Sequence, residues 1–261
     1  MMFWVGLQPY CLAIIYRLIG LYIFLGLLAL VGLFVLLVIV VGLSERHHLA
    51  GDIEATQEPY PYPATPYWQA TRRDAMSLGL RHVGDFATKK HTTMVKGLQS
   101  MFVTQDNQVL VAIVDGSFAA TKMKKTVLRS RFPLGTVIES SDNPGSVRDF
   151  SGVIDRQVLL NAGMAELLNF HLGRLRVARE QPVVFNAEKA LAEYERMDLE
   201  RGERWVLLGM ARWANPERTT MRLTFRGAWG HVRGMFVGIS DLEEQSHRTS
   251  IKRAGARPGD K

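Results

Sequence analysis

The sequence predicts an α+β domain of helices packed on antiparallel sheet, carried behind one transmembrane helix. Three observations lead there. Leu18 to Leu43 runs 26 residues without a charge, apolar windows of helical period fall near residues 71–101, 155–176 and 187–201, and short apolar or alternating runs of strand character lie between and after them. Blocks of helix and blocks of strand, instead of strict alternation of the two, imply helices laid on one side of an antiparallel sheet.

The first element is the apolar run. At about 1.5 Å per residue it reaches about 39 Å, enough for a hydrocarbon core of about 30 Å with some tilt. It is longer than the apolar core of a cleavable signal, and Ser44-Glu45-Arg46-His47-His48 offers no small-residue cleavage site. The sequence therefore predicts a retained signal-anchor, with residues 1–43 as N-terminal segment and span. Arg17 is the only Lys or Arg before the span, with Trp4, Tyr10 and Tyr16 as interfacial aromatics. The positive-inside rule then favours an N-inside orientation and an extracytoplasmic soluble domain. Gly20, Gly26 and Gly32 recur every six residues and do not align on one helix face, so no glycine-mediated helix pairing is expected.

Residues 44–67 form a linker in this reading, because Glu58 to Trp68 holds four prolines among tyrosines and favours a stiff extended chain. The folded domain spans 68–241. Within it Met76, Leu80, Val83 and Ala87 at helical spacing predict one or two helices before Met101. Val109 to Val114 predicts a buried strand, 122–131 and 136–140 further strands, and Ser141-Asp142-Asn143-Pro144-Gly145 a loop. A helix over Asp155–Arg176 follows, then one over Ala187–Arg201 beyond the break at Pro182. An apolar strand Trp205–Trp213, a turn at Asn215-Pro216-Glu217, an alternating strand Thr220–Arg226 and a third strand His231–Ile239 close a meander. Residues 242–261, rich in Arg, Lys, Ser and Gly, read as a basic disordered tail.

Composition narrows the function classes. The chain carries 32 Lys and Arg against 25 Asp and Glu, a net charge of +7. Its single cysteine, Cys11, rules out an intramolecular disulfide and a thiolate zinc site in the domain. No Asn-x-Ser/Thr sequon occurs. HExxH, His-x-His, Gly-x-Ser-x-Gly, Ser-x-x-Lys, GxGxxG and GxxxxGK[ST] are likewise missing, so neither a metal, a cofactor nor a catalytic residue is expected from motif. Adjacent His47 and His48 point about 100° apart on a helix and do not chelate as an i, i+4 pair would. A dispersed triad drawn from Ser117 or Ser151 with His171 or His231 is the only nucleophile arrangement left open.

Positive charge concentrates between Arg72 and Arg131. The candidate anion or partner contacts are Lys122, Lys124, Lys125, Arg129 and Arg131. Strand alternation sends Lys125, Arg129 and Arg131 to one face and Lys122 and Lys124 to the other, so no single phosphate-reading stripe results and nucleic acid is disfavoured as a partner. An edge strand guarded by lysines against sheet-to-sheet association accounts for the same residues. Arg222 and Arg226, with Arg218 and Arg233, are expected on the solvent face of the last sheet. The partners expected are the lipid bilayer and another protein of a membrane complex, with the domain as a binding or assembly module. In plan alone, anchor plus spacer plus folded domain, this is similar to bitopic assembly subunits of bacterial envelope machines. Two readings compete: a membrane-anchored hydrolase with a dispersed polar site, and a cytoplasm-facing basic domain that binds anionic lipid or nucleic acid.

Overall fold

A computed structural model describes residues 8–44, 46–89, 95–118, 121–143, 152–230 and 232. Helix α1 (Gln8–Ser44) contains the apolar run, and residues 17–44 are long and apolar enough to cross a membrane. The domain behind it is α+β, with a seven-stranded mixed sheet and a separate three-stranded one. The large sheet contains β2 (Ile53–Thr56), β3 (Arg81–Thr88), β4 (Val95–Val103), β5 (Leu110–Phe118), β6 (Thr121–Arg131), β7 (Val137–Ser141) and β8 (Ile154–Val158), side by side in chain order. The small sheet pairs β1 (His47–His48), β10 (Thr220–Leu223) and β9 (Ala211–Trp213), in that spatial order.

Every pairing is antiparallel except β7 with β8, which is parallel, so the sheet is mixed where the sequence suggested an antiparallel one. Helices also cover both faces, not one. On the first face α2 (Pro66–Ser77) and α3 (Met164–Val177) enclose a core of Trp68, Leu98, Phe102, Val111, Ile113, Leu128 and Leu167. On the second, α4 (Ala190–Leu207) closes over Phe86, Met101, Leu110, Val137, Ile154 and Met197. A strand buried on both faces carries apolar residues without alternation, and this is why residues 81–103 imitate helical spacing while folding as β3 and β4.

Local chemistry sets the other departures. Thr65 accepts a hydrogen bond from the Trp68 amide and Pro66 occupies the first helical turn, so α2 begins inside the segment read as linker. Gly79, at φ +77°, ends it. The Pro/Tyr segment is not a free spacer: Tyr60 and Tyr62 pack on the first core, and Tyr60 meets Trp68 edge to face at 5.1 Å. Residues 154–158 pair with β7 instead of opening the next helix, and Asn161 in the left-handed region separates them from α3. α4 runs on through Trp205 to Leu207, so the strand expected at 205–213 shrinks to β9. The hairpin turn holds, because the Asn215 side chain accepts from the Thr219 and Thr220 amides. The alternating strand ends at Leu223, and residues 225–230 are helical. Of the expected third strand only Val232 lies among the described residues, and it is helical. Pro144, Gly145 and the tail 242–261 fall outside them.

Close packing of the sheet requires glycine at one cross-strand pair. Gly97 on β4 faces Gly116 on β5, and a Cβ on Gly97 would lie 2.5 Å from the Asp115 carbonyl oxygen.

Candidate functional site

Strand β6 carries five of the candidate cations and splits them as alternation requires. It lies between β5 and β7, so it is an interior strand, and the edge-guarding reading of its lysines is corrected. Lys122 and Lys124 are exposed on the first face, with the Lys124 ammonium 5.4 Å above the Tyr67 ring. Lys125, Arg129 and Arg131 enter the second face beneath α4.

There they join partners from three other elements. Arg129 Nε donates to Glu139 Oε2 at 2.9 Å, its Nη1 lies 3.3 Å from Asp198 Oδ1, and its guanidinium stacks 4.3 Å from the Tyr194 ring centre. Arg156 Nε on β8 donates to Glu139 Oε1 at 2.5 Å, while Lys125 Nζ stands 4.0 Å from that oxygen. Arg201 reaches Asp198 Oδ1 at 3.3 Å. Arg131 leaves the cluster for a two-point pair with Glu200 at 2.7 and 3.2 Å. Four cations, Lys125, Arg129, Arg156 and Arg201, thus surround two carboxylates, Glu139 and Asp198.

Glu139 is fully buried. Burial alone would raise its carboxyl, but Arg129, Arg156 and Lys125 outweigh that and hold it well below the usual carboxylate range. Lys125 goes the other way. Burial and the neighbouring guanidinium groups of Arg156, Arg129 and Arg201 bring its ammonium down to about 8, with Glu139 alone opposing them. Glu139, Arg156, Tyr194, Asp198 and Arg201 escaped the sequence reading, since they come from β7, β8 and α4 and no local spacing links them. The one available signal was a lone Glu in an apolar strand, Val137-Ile138-Glu139.

The first face organises its polar groups around Asp85, His171 and hydroxyls. Asp85 accepts from Tyr60 at 2.8 Å, Arg72 at 2.9 Å and Ser100 at 2.5 Å, and pairs with His82 at 2.9 Å. Burial would raise this carboxyl, and the bonds from His82, Ser100 and Tyr60 with the charge of Arg72 carry it below its ordinary value. Thr65 donates to Asp115, and Tyr67 bridges Thr126 and Asp142.

His171 is wholly buried. Ser130 donates its proton to the Gln108 carbonyl, so His171 Nε2 donates to Ser130 Oγ at 3.0 Å and Nδ1 accepts from Ser140 Oγ at 2.9 Å. Burial and then Arg174 lower its pKa to about 3. It is a neutral imidazole locked between two serines. Ser117 pairs across the sheet with Lys96 and Lys122 and is not among its partners, while Ser151 and His231 lie outside the described residues.

An open cleft of about 580 Å³ sits at the β6–β7 turn against the end of α4. Leu134 and Leu207 are exposed beside it, over a floor that includes the Arg131–Glu200 pair, with Glu203 and Arg204 on the rim. No histidine lines it. Among the described residues no three His, Cys, Asp or Glu side chains are grouped as metal ligands. His48 Nδ1 instead faces Asp52 at 3.2 Å.

Arg222 and Arg226 part company. Arg222 sits opposite Arg212 in the β9–β10 pair and is half-buried, whereas Arg226 is exposed on the helical segment that follows. Arg233 lies outside the described residues. Comparison with protein-family models, with curated proteins and with solved structures finds no match for this chain.

Proposed function

We propose that this chain is a single-pass membrane-anchored module whose domain, on the extracytoplasmic side, binds another protein or helps to assemble a membrane complex. The observation that carries the reading is the way anchor and domain are joined. Val35, Ile39 and Leu43 of α1 share one apolar cluster with Leu223, Ala228 and Val232, so the domain is built onto the helix. Such a joint fixes the orientation of the domain's surfaces relative to the span, as a recognition module needs. The cleft flanked by exposed Leu134 and Leu207 supplies apolar surface within a charged rim, the chemistry of a protein contact.

The buried cations of β6 belong to this reading as structure. Arg129 and Arg131 are engaged with Glu139, Asp198 and Glu200, and of the seven candidate cations Lys122, Lys124 and Arg226 are the exposed ones. A hydrolase would need a histidine and a carboxylate converging on the cleft, and no histidine lines it.

Mild detergent extraction followed by size measurement tests the proposal. The chain is expected in a particle larger than a detergent-bound 29.4 kDa monomer. Recovery as the isolated monomer alone, with Leu134→Asp and Leu207→Asp leaving the particle size unchanged, overturns it. A reporter fused after Lys261 reads the side of the membrane, and a cytoplasmic signal overturns the orientation.

A further inference from the structure

Exposed aromatic residues occur beside the root of α1. Thr224 donates from Oγ1 to the Gly209 carbonyl at 2.7 Å and accepts from the Gly227 amide at 3.2 Å, capping the helical segment 225–230. Gly227 lets that segment lie directly on the chain at Met210, where a Cβ would fall 1.9 Å from the carbonyl oxygen. One side of the segment, Ala228 continuing to Val232, is buried against α1. Its other side presents Phe225 and Trp229, 64% and 50% exposed and four residues apart on one helical face, with Arg226 exposed beside them.

The depth of this face follows from α1. Counting about 30 Å of hydrocarbon from Arg17 at about 1.5 Å per residue ends the core near Leu37. Yet Leu36, Leu37, Val40 and Val41 are all more than half exposed on the side of α1 that the domain leaves bare. Those turns are the ones whose opposite side, Val35, Ile39, Gly42 and Leu43, the domain covers. Ala228 stands level with Gly42, since a Cβ there would lie 3.6 Å from its own. Lipid that shields Val40 and Val41 therefore reaches the level of residues 225–229.

We infer that the helical segment 225–230 is a second membrane contact, lying at the bilayer surface with Phe225 and Trp229 among the headgroups and upper acyl chains and Arg226 positioned for lipid phosphate. Aromatic residues gain most at that depth, where an apolar ring and a polar edge are both satisfied. The inference rests on the membrane-anchored reading.

Site-directed spin labelling of the full chain in phosphatidylcholine vesicles tests it, with Cys11→Ser as background and single cysteines Leu28→Cys, Phe225→Cys and Trp229→Cys. Accessibility to oxygen against a water-soluble nickel chelate gives depth. The label at 28 is expected in mid-bilayer, and those at 225 and 229 at headgroup depth. Aqueous labels at both 225 and 229 with a deep label at 28 overturn the inference and leave the anchor standing. An aqueous label at 28 overturns both. Positions 225 and 229 are exposed on the domain surface, so labels there do not disturb its core.

Discussion

The two faces of the seven-stranded sheet bury polar groups by opposite means. Beneath α2 and α3 the polar groups are held mostly by neutral donors: His171 lies between Ser130 and Ser140, Asp115 accepts from Thr65, Asp142 from Tyr67 and the Thr126 amide, and Asp85 from Tyr60 and Ser100 beside His82 and Arg72. Beneath α4, at the β6–β8 end, the interior is ionic, and the single carboxylate of Glu139 faces Arg129, Arg156 and Lys125. Changing a neutral member such as Ser130 or Tyr67 loses only its own hydrogen bonds. An ionic cluster loses the compensation of every charge that member served, and this asymmetry sets the ranking of the following tests.

The largest effect is expected at Glu139. Glu139→Gln keeps the shape and removes the charge, leaving three buried cations without their shared partner, and should cost about 3–5 kcal/mol, the range for breaking a buried ion pair. Thermal unfolding of the full chain in detergent, followed by circular dichroism, measures it; a shift of only a degree or two would show that water already screens the cluster.

Next comes the acid side. His171 titrates near 3 when folded and near 6.5 when unfolded, so between those values the unfolded chain binds the extra proton and stability falls as pH falls. The expected slope from this residue is about 0.7 kcal/mol per pH unit at pH 6.5 and approaches about 1.4 by pH 5. His171→Gln should flatten that segment of the stability profile. Glu139 acts lower, because its depressed carboxyl stabilises fully above the ordinary carboxylate range and that contribution is lost progressively as pH falls from this range toward its folded value.

Lys125 should give a smaller effect, and its removal should stabilise where removal of the Glu139 charge destabilises. Its folded pKa of about 8 lies below the unfolded value near 10.4, so the charged ammonium opposes folding at neutral pH and the strain is relieved as pH rises through that window. Lys125→Met is expected to stabilise by about 1 kcal/mol at pH 7 and to remove the alkaline gain. Smallest is Arg196→Ala, which deletes exposed pairs with Glu193 and Glu200 one turn away and should move stability by no more than about 0.5 kcal/mol. A loss as large as that of Glu139→Gln would erase the distinction between buried and surface charge.

Parts of this architecture were legible in the chain because their signals are local. The long apolar helix, the strands at 109–114, 122–131 and 136–140, the second helix near 187–201 and the Asn215 turn each announce themselves through local sequence. Residues 81–103 were misread because burial on both faces erases the period of two, and Trp205–Leu207 because an amphipathic helix end resembles an apolar strand. The charge cluster lay deeper still. Alternation along β6 placed Lys125, Arg129 and Arg131 on one face, but nothing in that strand tells that the face looks onto Asp198 and Glu200, about seventy residues on.

By itself, the sequence determined what depends on neighbours along the chain: an uncharged helix long enough for a bilayer, the absence of cysteine pairing, and the split of the β6 cations. Tertiary structure alone decided which of those cations are compensated, that tyrosines 60 and 62 belong to a core, and that Phe225 and Trp229 emerge beside α1. Each of these is a meeting of segments far apart in sequence, and the pairing of distant surfaces is set by the whole packed sheet, not by any one window of it.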